Sequence, residues 1–324
     1  MAKRDWHLGI DVGGTKILAG VFNGGNEILG RSKRKTRGHG DPQAVLRRIV
    51  KTAREAIEAS EADLKAIRSI GICVPGPIQP DEGLVIEAPN LGWRNVKVVE
   101  HLAGELGRPT YLSNDVTAGT WGEFSLGAGR GAGNLLGVFV GTGIGGGIVI
   151  DGRLYSGSSQ EAGEIGHICL DPNGPACGCG RYGCLEAYAS RTAIARHIRA
   201  AADRGESSPI LDELDADAPI RSRLLKQAWE EEDPVVREAI GQSAYFLGIG
   251  LGSIANVLNP DRIVLGGGVV EALGNDYLEL VDRSFARAAF RSAYQAARLV
   301  EASLGDDAGI LGAALLARQR LEKK

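Results

Sequence analysis

An apolar strand, a glycine turn and a second apolar strand occur twice in this chain, 128 residues apart, and any fold must accommodate both copies. Leu8, Gly9, Val12, Gly13 and Val21 of the first copy match Leu136, Gly137, Val140, Gly141 and Val149 of the second. The first strand runs into Asp11-Val12-Gly13-Gly14-Thr15-Lys16. Glycines there let backbone N–H groups approach a phosphate, Thr15 adds a hydroxyl, and Asp11 at the strand end can hold magnesium through water. A plain tight turn uses the same glycines, so the motif alone leaves both readings open. In the second copy Gly141, Gly143 and Gly146 spell G-x-G-x-x-G, but a strand follows instead of a helix, which excludes the dinucleotide fingerprint. No G-x4-G-K-[ST] loop occurs. Two related hairpins predict two related α/β domains, each holding one side of a nucleotide's phosphates.

The length fits that division, since 324 residues exceed what one hydrophobic core usually holds. Lys plus Arg at 37 against Asp plus Glu at 40 gives a net charge of −3, which offers no general attraction to nucleic acid or acidic membranes. The expected partner is a small molecule. No apolar run reaches transmembrane length, and Met1 to Trp6 is charged, unlike a signal peptide, so a cytoplasmic protein is expected.

A second constraint lies in Glu161 to Glu186, EAGEIGHICLDPNGPACGCGRYGCLE. Cys177, Cys179 and Cys184 form a C-x-C-x4-C cluster, and a loop with Pro172, Gly174 and Pro175 can fold His167 back onto it. Three thiolates and one imidazole complete a tetrahedral zinc shell with no open position, which argues for a structural ion and against metal-assisted hydrolysis. Ordinary buried thiols, or a disulfide with a spare, are the alternatives. Gly178, Gly180 and Gly183 speak against them, being turn formers. Glu164 stands three residues before His167 and points the same way on a helical turn, while Glu186 follows Cys184 by two. A metal-bound imidazole keeps its second nitrogen for another partner, so the ion would fix the direction of His167.

The remaining motifs are local. The run Arg31, Lys33, Arg34, Lys35 and Arg37 reads as a solvated face, with the attraction of an anionic nucleotide as the alternative. Asp41-Pro42 opens a helix with Ala44, Val45, Ile49, Ala53 and Ile57 at helical spacing. Ile70 to Val74 reads as a buried strand in which Cys73 is a small core residue. Ala88 to Trp93 is a loop pairing Asn90 with an indole, a weak signal alone. Thr110 to Asp115 is a short strand delivering Asn114 and Asp115 at its carboxyl end, where α/β folds bind ligands. Asp115 then suits a general base, although Asn-Asp also starts helices. Residues 202–219 read as a polar, acidic surface connection, and Pro234 to Leu258 as a long buried helix stopped by Asn259-Pro260. Arg262 to Leu265 is a strand entering Gly266-Gly267-Gly268, and Arg298 to Ser303 is the last strand.

As a set, DVGGTK, APNLGW, SNDVTAG, GTGIGGGIV, GEIGH, CGCGRYGCLE and IVLGGGV resemble, in order and over nearly the whole chain, the ROK family (repressor, open reading frame, kinase) of sugar kinases. The resemblance implies two actin-like ATPase (ribonuclease H-like) α/β domains with a cleft between them. It divides the chain into residues 1–115 and 116–304, with a helix at about 305–324 packing back on the first domain. It implies that Asp115 is the catalytic base and that Asn90, Asn114, Glu164, His167 and Glu186 hold a hexose with it. ATP contacts carry over to Asp11, Gly13, Gly14, Thr15, Thr142, Gly143, Gly266 and Gly267, with Mg2+. His167, Cys177, Cys179 and Cys184 match the family's structural Zn2+ site. Thr117 departs from the asparagine common in the family. A homodimer or homotetramer is implied, with glucose as the acceptor and fructose, N-acetylmannosamine, N-acetylglucosamine or allose as others. A sugar-responsive repressor would carry a helix-turn-helix before the first strand, for which ten residues ahead of Asp11 are too few. A zinc-ribbon nucleic-acid module would need more basic and aromatic residues than Arg181 and Tyr182.

Overall fold

The computed structural model describes residues 5–212 and 220–323, so residues 213–219 of the acidic connection lie outside the described residues. The chain divides into two compact units: Met1–Arg130 with Ser156–Ala162 and Asp306–Lys324, and Gly131–Tyr155 with Gly163–Gly305.

The first unit opens with β1 (Trp6–Val12), β2 (Lys16–Phe22), β3 (Ile28–Lys35), α1 (Pro42–Ala59) and β4 (Ile67–Val74). It continues through β5 (Ile78–Gln79), β6 (Leu84–Ala88), β7 (Trp93–Lys97), α2 (Val98–Leu106), β8 (Thr110–Asn114) and α3 (Asp115–Leu126). Its main sheet has the order β3-β2-β1-β4-β8, with β1 antiparallel to β2 and parallel to β4. Strands β5, β6 and β7 form a separate small sheet.

Period-2 alternation sends Leu8, Ile10 and Val12 to one face, where they share a core with Val45, Ile49, Ala53 and Ile57 of α1. The other face carries Gly9 and Gly71, against which α12 (Asp307–Glu322) lies. A Cβ on either glycine would overlap the carbonyl of Ile310 or Ala313 in that helix, so close contact depends on their having none. Helix α3 packs on α12 as well, with Gly312 seated against Ala118. That packing carries the first unit on to Arg130, beyond the boundary expected at residue 115.

The second unit holds β9 (Leu135–Val140), β10 (Ile144–Ile150), β11 (Arg153–Leu154), α4 (Leu185–Ala189), α5 (Arg191–Asp203) and α6 (Pro209–Asp212). Then come α7 (Ser222–Glu230), α8 (Pro234–Leu258), β12 (Arg262–Gly266), α9 (Gly268–Leu273), α10 (Asn275–Ala288), α11 (Arg291–Ala296) and β13 (Arg298–Glu301). Its sheet order is β11-β10-β9-β12-β13, with β9 antiparallel to β10 and parallel to β12. The two hairpins found in the sequence thus occupy equivalent places in two like sheets.

Helix α8 starts where Asp233 accepts hydrogen bonds from the Val235 and Val236 N–H groups and ends at Asn259 in the left-handed conformation. Its Val236, Ile240, Leu247 and Leu251 are buried in the core of the second unit. Among the described residues no helix is long and apolar enough to cross a membrane.

Candidate functional site

Strands β1, β4 and β8 run parallel and end together, because Asp11 pairs with Cys73 and Cys73 with Ser113. Their carboxyl edge therefore gathers Asp11, Asn114 and Asp115, at the place where open α/β sheets bind ligands. Asp11 is enclosed there, with the Cys73 Sγ 3.6 Å from its Oδ1 and Gly309 of α12 so near that an added Cβ would stand 3.1 Å from its carboxyl carbon. Burial pushes its carboxyl up to about 7, and the charge of Asp115 adds to the shift, against the pull of Lys16.

The turn that follows is tight. The Gly13 N–H donates to the Lys16 carbonyl at 2.9 Å, and the Thr36 hydroxyl and N–H fasten the carbonyls of Gly13 and Thr15 at 2.6 and 3.0 Å. Gly14 abuts Asn90, whose carbonyl would lie 2.9 Å from an added Cβ. Thus Gly13, Gly14, Thr15 and Asn90 come together beside Asp11.

Asn114 caps α3. Its Oδ1 accepts from the Val116 and Thr117 N–H groups at 2.9 and 3.1 Å, and its Nδ2 donates to the Gly76 carbonyl at 3.4 Å. The amide oxygen expected on a sugar is thus engaged in starting the helix. Asp115 occupies the first turn of α3, at the end where a helix presents its free N–H groups. Both local readings of Asn-Asp apply, the helix start and the placement of a carboxylate at the strand end. Thr117 lends the cap its backbone N–H.

Three of the five cations in the basic run, Arg31, Lys33 and Arg34, are matched to acids, as is Lys16 on the neighbouring β2. Lys16 and Lys33 pair with Asp306, Arg31 with Asp307, and Arg34 with Glu55. The surface-face reading describes these residues better than a patch free to attract nucleotide.

In the second unit the turn between β9 and β10 carries Thr142 and Gly143, and Gly266 and Gly267 end the neighbouring β12. Gly267 has φ +89° and crosses over Val140 so closely that a Cβ would lie 2.7 Å from its backbone. Only glycine suits both demands. Arg191, which nothing in the sequence singled out, donates from Nη2 to the Thr142 hydroxyl at 2.8 Å and from Nη1 to the Ser222 hydroxyl at 3.1 Å. A lone arginine at a helix start carries no motif.

The segment 163–168 lies directly on β10, with Gly166 against the Ile144 carbonyl. This brings His167 to the cysteine loop. Its Nδ1 stands 3.7 Å from the Cys177 Sγ, and its Nε2 faces a Glu164 oxygen at 3.9 Å. Donor atoms of His167, Cys177, Cys179 and Cys184 lie within 4.8 Å of one another. Tetrahedral zinc with bonds of about 2.3 Å to sulfur and 2.0–2.1 Å to nitrogen sets S···S near 3.8 Å and N···S near 3.5 Å. The Cys179–Cys184 separation is 3.7 Å, so the donor set fits the ion in number, chemistry and spacing. Cys169, the one cysteine besides Cys73 that is not in the cluster, is exposed, bridges Cys184 through its backbone and directs its thiol to the Tyr182 carbonyl.

Glu186 joins this cluster to the glycine turn. Its Oε2 accepts from the Ile144 N–H at 2.9 Å, and its Oε1 is 3.6 Å from the Cys177 Sγ. One carboxylate oxygen thus holds the strand after the glycine turn and the other faces the sulfur of a cluster cysteine. The expected residues fall into two sets: Asp11, Gly13, Gly14, Thr15, Asn90, Asn114 and Asp115 on the first unit, the rest on the second.

A profile of the ROK family matches residues 7–320. The chain is 33% identical over 316 residues to a glucokinase of Halalkalibacterium halodurans, covering 97% of this chain and 96% of that one. It is 35% identical over 318 residues to an N-acetylmannosamine kinase of Shigella boydii, covering 96% and 98%. The crystal structure of a ROK family glucokinase from Streptomyces griseus, in complex with glucose and AMPPNP, superposes with a TM-score of 0.84 at 33% identity, covering 97% of this chain and 99% of that one.

Proposed function

The chain belongs to the ROK family, and from that membership we propose that it is an ATP-dependent hexose kinase with glucose as its preferred acceptor. The observation that carries the reading is the pair of carboxylates at one sheet edge, Asp115 in the first turn of α3 and Asp11 beside the glycine turn. Phosphoryl transfer needs positioning and neutralisation of charge more than covalent help from protein groups. Asp115 takes the proton of the attacking sugar hydroxyl while oxygen bonds to the γ-phosphorus and the bond to the ADP oxygen breaks. Asn90, Glu164, His167 and Glu186 orient the sugar, and Asn114 sets the direction of Asp115 through the cap. Backbone N–H groups of Gly14, Thr15, Gly143 and Gly267, with the Thr142 hydroxyl, face the nucleotide, and the Gly13 N–H closes the first turn on the Lys16 carbonyl.

Asp11 suits Mg2+ held through water, and that ion would supply neutralisation of the phosphate charge. The set His167, Cys177, Cys179 and Cys184 suits structural Zn2+, which would supply rigidity to the loop carrying Glu164 and Glu186. Glucose is favoured because relatives that span nearly the same length are glucokinases. N-acetylmannosamine is the second acceptor to examine, on the likeness to the Shigella kinase.

The test is a coupled assay of ADP release with Mg2+ and ATP against glucose, fructose, allose, N-acetylglucosamine and N-acetylmannosamine. A kcat/KM for glucose at least tenfold above the others supports the reading. Preference for another sugar moves the acceptor and leaves the kinase; sugar binding without turnover on any of them would make the chain a sensor.

A further inference from the structure

Arg191 carries a charge that its surroundings do not neutralise. Its two side-chain partners are the hydroxyls of Thr142 and Ser222, both uncharged. Among the described residues no carboxylate pairs with it, and burial alone lowers its pKa, with no neighbouring acid raising it. A half-buried guanidinium in that state is costly unless an anion completes it.

Its position indicates which anion. The Arg191 N–H donates to the Gly141 carbonyl at 2.9 Å, which ties the start of α5 to the β9–β10 turn. The Nη1 atom also lies 3.8 Å from where a Cβ on Gly268 would stand, so the guanidinium spans from that turn to the one after β12. Strands β9 and β12 are parallel neighbours, and their carboxyl ends are the edge at which α/β sheets bind phosphates. Five N–H donors serve an arginine, and two are engaged with hydroxyls, so three remain in a rigid plane suited to a phosphate's oxygens.

We propose that Arg191 is a phosphate-binding residue for the nucleotide, held in place but not neutralised by Thr142 and Ser222, and that it makes the second unit select a polyphosphate donor. The proposal rests on the kinase reading above. Glycine amides approach any phosphate, whereas this guanidinium adds a full charge that adenosine cannot use.

The experiment is calorimetric titration of the full-length protein with MgATP, ADP and adenosine, repeated with Arg191→Gln and Arg191→Lys. The unaltered protein is measured first; if it binds no ATP, the kinase reading fails before the variants are examined. Given ATP binding, Arg191→Gln should weaken ATP and ADP about 10- to 100-fold, as loss of a charged hydrogen bond does, with adenosine and sugar affinity unchanged. Arg191→Lys should recover part of the loss, supplying charge without the planar fork, and it serves as the reference should the glutamine variant fold poorly. A change below twofold for ATP in either variant, or an equal loss for adenosine, would overturn the assignment.

Discussion

The Glu186 carboxylate accepts a hydrogen bond from the Ile144 N–H at 2.9 Å, joining the helix that follows the cysteine loop to the strand that leaves the second glycine turn. Gly143 sits beneath that bond, and a Cβ there would overlap Glu186 Oε2, the movable end of that side chain. Gly143→Ala should therefore turn Glu186 aside and cost roughly 0.5–1.5 kcal/mol, from the lost hydrogen bond. A fall in melting temperature together with a raised KM for ATP is expected. An unchanged melting temperature would mean that the contact is relieved by other means.

Zinc should be present at one ion per chain and should guard one thiol selectively. Cys169 and Cys179 are both exposed, yet only Cys179 belongs to the ligand cluster. With the ion bound, a thiol reagent should modify Cys169 alone at a rapid rate; after chelation Cys179 should react too, with a drop in melting temperature. Equal reactivity of the two before chelation would argue against a bound ion.

Asp115→Asn keeps the size of the side chain at the start of α3 and removes its basicity. Turnover should fall by roughly 10²–10⁴-fold, the range for loss of a positioned base, while sugar affinity measured by titration stays within a few-fold. Persistent turnover would remove Asp115 from the role.

The elevated pKa of Asp11 predicts an unusual pH dependence of stability in the nucleotide-free protein. Burial first, and Asp115 second, raise the carboxyl from its ordinary value to about 7. The folded state thus holds a proton that the unfolded chain releases near pH 4. That contribution is complete below the ordinary aspartate pKa and is lost as pH rises through about 7. Asp11→Asn cannot ionise, so relative to the unaltered protein it should gain stability between pH 4 and 7 and hold the gain above. The shift from 3.8 to about 7 corresponds to a gain on the order of 4 kcal/mol at pH 8, read as a higher melting temperature of the variant. Equal melting curves for the two proteins at pH 8 would contradict the shift.

Local patterns made much of this molecule legible. The glycine hairpins carried their own turn residues, and α8 was bounded by Pro234 and Asn259, a helix-compatible start and a left-handed stop. The cysteine spacing and the histidine upstream led to the cluster that the fold assembles. What stayed hidden depends on distant partners. Whether α3 belongs with the first unit is decided by Gly312, nearly two hundred residues further along. Asn114 shows the limit from another side, since the same two residues spell a helix cap and a ligand site, and one amide oxygen serves the first. Arg191 gains meaning only from Thr142 and Ser222, neither adjacent in sequence.

The doubling of the sheet has one asymmetry. In the 128-residue offset between the copies, Asp11 corresponds to Phe139, which packs against Gly266. A carboxylate stands in one copy, an aromatic ring in the other, and the guanidinium of Arg191 attends the turn of the second alone. One scaffold thus occurs twice with opposite charge at its turn, a carboxylate in the first copy and a guanidinium beside the second. A kinase of the proposed kind therefore asks two different things of one repeated scaffold, that the first turn hold a cation and the second an anion.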